Sequence, residues 1–262
     1  MSFRLIVHPR MEGRLDMAID EALAEAVGRG ESPPVFRLYG FSPATLSLGR
    51  FQKINGCWEP GLLRADGVTL VRRPTGGHAV LHDSELTYSV ALSKQESGSL
   101  IGGARKRDVY EFIARVLLAG CANLSIKATI NSAQKGDPHN PDCFGSAGEY
   151  EIAGAGGRKL IGSAQMTTRT AILQHGSIPM ENPGLRVFRY IHSDAPREAH
   201  PPTCLNEEKG SVVTFEEARQ AFARAVRHEL DAEDSELRPA EIAEADRILA
   251  EKYATDAWNL RY

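Results

Sequence analysis

The sequence predicts an α+β fold with mixed or antiparallel sheets and flanking helices. Strand-like runs fill the middle of the chain, amphipathic helical stretches lie towards its ends, and the strands do not alternate strictly with helices as βαβ units would. No unit of roughly 20–50 residues repeats, which excludes a solenoid or a propeller.

The elements follow in order. Leu15, Ala18, Ile19, Ala22, Leu23 and Ala26 recur at helical spacing, with Asp16, Asp20, Glu21 and Glu25 between them as a polar face. The spacing predicts a helix over 14–28, stopped by Gly28 and Gly30. VFRLY (35–39) and TLSLG (45–49) flank the turn-like GFSPA, and VTLVRR (68–73), HAVLH (78–82) and LTYSVAL (86–92) read as further short strands. Asp108 can cap a helix whose apolar positions are Val109, Phe112, Ile113, Val116 and Leu117, with Gly120 as its stop. LSIKATI, RKLIGSAQM and TAILQHGSI predict three more strands. Thr214 and Glu217 form a capping box before a helix carrying Ala218, Phe222, Val226 and Leu230, and Pro239 opens a last helix. The Pro/Gly/polar stretch 131–148 interrupts the strand region and reads as a functional loop within one domain spanning 1–262.

A chain of 262 residues can bury a sizeable core. A formal net charge of -3 gives no whole-molecule attraction to nucleic acid or anionic lipid. The start lacks a signal-peptide pattern and no apolar run approaches the ~20 residues of a membrane span, so a cytoplasmic protein is expected. Cys57, Cys121, Cys143 and Cys204 form no CxxC pair. Thiols are expected, and neither a structural zinc site nor any other metal.

Chemistry concentrates in a few stretches. The Walker pattern is absent, and AGAGGRK misses GxGxxG because its third position is Lys159. In RRPTGGHAVLHD (72–83), Pro74 and Thr75 lead into Gly76-Gly77, where missing Cβ atoms let backbone amides approach a carbonyl or carboxylate oxygen. A bare GG is an ordinary hairpin turn. Here Arg73, His78, His82 and Asp83 surround it with donors and acceptors. RKLIGSAQ (158–165) carries Lys159 towards Gly162-Ser163, and LQHGSI (173–178) sets Gln174 and His175 in an apolar strand where they need partners. Cys143, in PDCFGSAGEYEI, lies among small residues and not in an aliphatic core. A thiol with a pKa of about 8.5 is mostly protonated at neutral pH, so a nucleophilic role requires a nearby cation or base, which Lys159 or His175 could supply. Cys204 is a second candidate; Cys57 and Cys121 read as structural.

RRPTGGHAVLHDSELTYSV, CFGSAGEYEI, GRKLIGSAQ and LQHGSI, in this order, resemble the biotin/lipoate protein ligase and lipoyl transferase family, and within it the octanoyl-[acyl carrier protein]:protein N-octanoyltransferases of the Gram-positive bacterial type. The resemblance runs from RLDMAIDEAL to TCLNEEKGSVVTFEEARQAF. It implies a catalytic domain like those of biotin protein ligase and class II tRNA synthetases. It also implies transfer of octanoate from acyl carrier protein to a lysine of a lipoyl-bearing protein, either the glycine-cleavage H protein or a dehydrogenase E2 lipoyl domain. Cys143 would carry the acyl group as a thioester and Lys159 would lower its pKa. Arg73, Thr75, Gly76, Gly77, His78, His82, Gly162, Ser163, Ala164, His175 and Gly176 would form the acyl site. The chain departs from the pattern at His78, where the family usually has arginine, and at Ala147-Gly148.

Thioester exchange is nearly isoergonic and aminolysis runs downhill, so no ATP, metal or organic cofactor is required. His175, His82 and Lys159 are the candidate bases for the acceptor lysine. A monomer is the family-level expectation. Two other readings are an ATP-dependent lipoate–protein ligase, which needs no cysteine, and a non-catalytic acyl-binding protein, for which an activated thiol has no use. ARKR (104–107) is the one compact basic run, and a solvated helix start explains it without a nucleic-acid role.

Overall fold

The computed structural model describes residues 2–54, 58–102, 105–131, 151–182, 184–191 and 202–262. Cys57, Cys143 and nearly all of the loop expected at 131–148 lie outside the described residues.

The strands are β1 (Arg4–Met11), β2 (Val35–Phe41), β3 (Thr45–Leu48), β4 (Thr69–Arg72), β5 (Val80–His82), β6 (Glu85–Ser93), β7 (Thr129–Asn131), β8 (Glu151–Ala153), β9 (Lys159–Thr167), β10 (Ala171–Pro179) and β11 (Glu233–Ser235). Eight form one sheet in the order β11-β1-β2-β6-β10-β9-β8-β7, and β4-β3-β5 form a second. In the large sheet β1 runs parallel to both neighbours and the other pairs are antiparallel, so the mixed α+β class holds. β1 escaped the sequence reading because Pro9 interrupts it. Proline cannot donate to a ladder, and the β1–β2 register shifts between Val7 and Arg10.

The helices are α1 (Gly13–Gly28), α2 (Pro60–Ala65), α3 (Ser97–Ile101), α4 (Lys106–Asn123), α5 (Gly184–Val187), α6 (Leu205–Lys209), α7 (Phe215–Leu230), α8 (Pro239–Ile248) and α9 (Asp256–Asn259). None is long and apolar enough to cross a membrane, among the described residues. On one face of the large sheet Leu86, Tyr88, Val90 and Leu92 share a core with α4 and α7. On the other, Tyr39, Ala91 and Leu173 share one with α1 and α8. β6 is therefore buried on both faces, and its alternate residues Thr87 and Ser89 deliver hydroxyls to the α1 side. A third cluster, with Leu46, Leu48, Trp58 and Leu81, underlies the small sheet.

Three local expectations need correction. Asp16 and Asp20 are not on a solvated face of α1: both are 0% exposed and point into the sheet. Asp108 is not the N-cap of α4. Arg105 holds that position, and the Asp108 carboxylate accepts its backbone N–H at 3.1 Å from the third helical position. Gly120 does not end α4, which continues to Asn123. Gly120 instead admits Phe222 of α7, since a Cβ there would lie 2.3 Å from the ring. The capping box at Thr214 and Glu217 and the start at Pro239 are as expected.

Candidate active site

Strands β9 and β10 pair antiparallel with Ala164 opposite His175 and Ser163 opposite Gly176, which brings the GSA and HGS stretches side by side. The RRPTGGH turn between β4 and β5 packs over them. Gly77 has φ +89°, and its carbonyl oxygen would lie 1.8 Å from any Cβ at position 49, so the turn needs glycine at both places. Arg73, 4% exposed, organises this turn from within. Its Nη2 donates to the carbonyls of Gly76 (2.8 Å) and His78 (2.6 Å), its Nη1 to the Ser47 carbonyl (3.1 Å) and hydroxyl (3.2 Å), and its Nε to Thr75 Oγ1 (3.1 Å). These contacts give Arg73 the work of holding the loop.

Two carboxylate–imidazole–hydroxyl relays converge on that guanidinium. In the first, Asp20 Oδ2 lies 3.4 Å from His175 Nδ1, and His175 Nε2 lies 2.7 Å from Thr75 Oγ1. In the second, Glu85 Oε1 lies 2.5 Å from His82 Nδ1, and His82 Nε2 lies 2.8 Å from Ser47 Oγ. Arg73 can only donate, so the Thr75 and Ser47 oxygens accept from it, and the carboxylate facing each Nδ1 accepts as well, which in a neutral ring leaves Nε2 to accept the hydroxyl proton. Each histidine then carries its proton on Nδ1, towards its carboxylate. Burial pushes the His175 pKa below the ordinary value, against the pull of Asp20, and keeps this imidazole neutral.

Asp20 is also the hub of a buried polar cluster. It accepts from Arg37 Nη1 (2.8 Å), Tyr39 OH (2.8 Å) and Ser89 Oγ (2.7 Å). Burial alone would raise its pKa, but these donors and His175 outweigh burial and lower it. Asp16 pairs with the same guanidinium at 2.5 Å. One cation faces two carboxylates, and burial, only partly opposed by Arg37, pushes Asp16 up to about 7. On the second relay, Glu85 additionally accepts from the hydroxyls of Thr87 and Ser177.

Beside these relays lies a pocket walled by Met17, Tyr39, Phe41 and Val80 and reached by Arg73, His82, Thr87, His175 and Ser177, with Gly162, Ser163, Ala164 and Gly176 along β9 and β10. An apolar wall with few polar groups suits a hydrocarbon chain ending in a carbonyl. Thr75, Gly76, Gly77, His78 and Lys159 do not line it. Thr75 touches it through His175 and Arg73, and Gly76 and Gly77 form the turn above. His78 contributes its carbonyl to Arg73. Lys159 is buried in an ion pair with Glu151 at 2.7 Å. Its carbonyl accepts the Thr203 N–H at 2.9 Å, so the chain just before Cys204 runs alongside. Cys204 is 2% exposed and burial pushes its thiol pKa up. Cys121 lies in the α4 core, where burial pushes it up to about 12.

Asp20, Glu85, Ser47 and Glu151 escaped the sequence reading. The legible signal was pairwise: Asp16 and Asp20 at i, i+4 on one helix, facing Arg37 in VFRLY and hydroxyls at every second residue of LTYSVAL.

A family model for the lipoyl protein ligase A/B catalytic domain matches residues 12–227. The chain belongs to that family. It is 38% identical over 277 residues, 99% of this chain and 98% of the relative, to the octanoyltransferase LipM of Symbiobacterium thermophilum. It is 35% identical over 263 residues, 94% of each, to LipM of Staphylococcus aureus. Among solved structures it resembles a lipoate-protein ligase A bound with ATP (TM-score 0.81, 22% identity, 99% of each chain). It also resembles a bipartite lipoate protein ligase of Thermoplasma acidophilum (TM-score 0.76, 19% identity, 99% of this chain and 96% of that one). The lipoyl ligase fold is thus shared along the whole chain.

Proposed function

We propose that this protein is an octanoyltransferase of protein lipoylation, taking octanoate from acyl carrier protein and placing it on a lysine of a lipoyl-domain acceptor through a thioester on Cys143. The observation that carries the reading is a largely apolar cavity lined by Arg73, His82 and His175 and by the GSA and HGS stretches of β9 and β10, within a family whose relatives at 35–38% identity are octanoyltransferases.

Cys143 gives up its proton, its sulfur attacks the carbonyl carbon of the donor thioester, a new C–S bond forms, and the bond to the pantetheine sulfur breaks, that sulfur leaving as the thiol with the proton Cys143 released. The acceptor amine then attacks the enzyme thioester. An amide forms, the bond to Cys143 breaks, and the amine's proton ends on the cysteine sulfur. Lys159 is the cation assigned to Cys143, because an ammonium nearby lowers a thiol pKa. Gly76 and Gly77 would offer amides to the oxyanion. His82 and His175 have both ring nitrogens engaged with protein groups, which supports positional roles for them. Cys204, buried and shifted towards the thiol, is the poorer nucleophile. The reading includes a cytoplasmic monomer with one catalytic domain over 1–262, and either the H protein or an E2 lipoyl domain as acceptor.

The test is transfer from octanoyl-acyl carrier protein to a lipoyl domain with ATP omitted. Full transfer without ATP is expected; dependence on ATP would replace this reading with an octanoate or lipoate ligase.

A further inference from the structure

Two of the exposed large apolar side chains meet on the surface: Phe51 is 68% exposed and Tyr262 47%. The Phe51 and Tyr262 rings lie 6.4 Å apart. Arg50 sits 5.4 Å from the Phe51 ring and Arg261 4.7 Å from that of Tyr262, with Lys53 exposed next in the chain. None of Arg50, Lys53 and Arg261 has a carboxylate partner among the described residues. Aromatic rings and cations thus share one surface on a chain of net charge -3.

The two chain segments that make this patch are tied together and to the turn. The Ile54 N–H donates to the main-chain oxygen of Tyr262 at 3.1 Å, and Arg72, buried beneath, donates to the carbonyls of Gly49 (2.9 Å), Gln52 (2.7 Å) and Trp258 (3.2 Å). The Arg50 N–H donates to the Thr75 carbonyl at 2.8 Å. The patch is thus hydrogen-bonded to the glycine turn through the Arg50 segment, and none of its residues lines the cavity.

Resting on the acyl-transfer reading above, we propose that the patch of Phe51 and Tyr262 ringed by Arg50, Lys53 and Arg261 docks an acidic face of the carrier protein that brings the acyl thioester. The choice of donor over acceptor follows from reach. A phosphopantetheine arm lets the carrier surface stand away from the cavity, whereas an acceptor lysine is short and its domain must sit over the mouth. Overall charge gives no attraction to an acidic carrier, so recognition must be local. Rigid aromatics with peripheral cations supply an anchor and electrostatic steering.

The experiment compares two donors, octanoyl-acyl carrier protein and octanoyl-pantetheine, in the wild type, Lys53→Glu and Lys53→Glu/Arg261→Glu. The double variant is expected to raise KM for the carrier donor at least tenfold and to flatten its salt dependence. Its kcat/KM with octanoyl-pantetheine should stay within about twofold of wild type. Lys53→Glu, exposed and away from the C-terminal packing, should raise the carrier KM several-fold with an unchanged melting temperature, which guards against a folding defect in the double variant. An unchanged carrier KM in both variants overturns the proposal, as does a rise in KM for the lipoyl-domain acceptor instead. A wild type that accepts octanoate from neither donor defeats the acyl-transfer reading itself, a result distinct from either.

Discussion

Replacing Asp20 by asparagine keeps the side chain's shape and removes its charge. Four donors converge on its two oxygens: Arg37 and Ser89 on Oδ1, Tyr39 and His175 on Oδ2. An asparagine oxygen can serve one pair, but its NH2 confronts the other. Each buried donor left unsatisfied costs about 1–3 kcal/mol. Removing one partner of a fully buried ion pair costs about 3–5 kcal/mol, a figure that overlaps the first and does not add to it. Asp16 still faces Arg37, so the expected loss for Asp20→Asn is about 3–5 kcal/mol by urea unfolding. The relay responds as well. An NH2 directed at His175 Nδ1 moves the imidazole proton to Nε2, where Thr75 Oγ1 already accepts from Arg73. Long-range nitrogen–proton NMR of the imidazoles should show His175 protonated on Nδ1 in the wild type and on Nε2 in the variant. A loss below about 1 kcal/mol, or an unchanged His175 tautomer, refutes the relay.

Asp16→Asn should show a different pH dependence from the wild type. Folded Asp16 holds its proton up to about 7 while the unfolded carboxyl releases it near 3.8, so the folded state binds more protons between those values and loses stability as pH rises through them. Asparagine lacks this loss. Relative to wild type, the variant should gain roughly 2–3 kcal/mol between pH 5 and pH 8 in urea melts, and a pH-independent difference would contradict the raised pKa. Gly120→Ala drives a methyl into Phe222 at the α4–α7 contact and should lower stability by about 1–3 kcal/mol, measured by thermal unfolding, with kcat unchanged in the folded fraction. A neutral Gly120→Ala would mean that the helices part without cost.

Periodicity made the longer elements legible: α1, α7, β6, β9 and β10 lie within a few residues of their predicted bounds. Short elements such as α3, α5, α6 and β11 carry too few residues for a period to show. Asp108 and Gly120 misled for a common reason. Helix-end residue types were taken at face value, while Asp108 serves from the third position and Gly120 is fixed by contact with a distant helix. The motif residues of the candidate site were visible because glycine, histidine and lysine stand out in strand-like runs. Their carboxylate partners were not, since Asp20 has the look of any helix-surface acid until the sheet beneath it is known to carry Arg37, Ser89 and His175. Arg73 stood out as a cation at the site, and its hydrogen bonds to its own turn add a positioning task that the sequence did not show.

In the proposed transfer Cys143 carries the acyl group. Intact-protein mass spectrometry after incubation with octanoyl-acyl carrier protein, without ATP, tests it most directly. One octanoyl adduct is expected on the wild type, removed by hydroxylamine, located at Cys143 by peptide mapping, and absent from Cys143→Ser while Cys204→Ser retains it. An adduct that persists in Cys143→Ser, or full transfer by that variant, would contradict it.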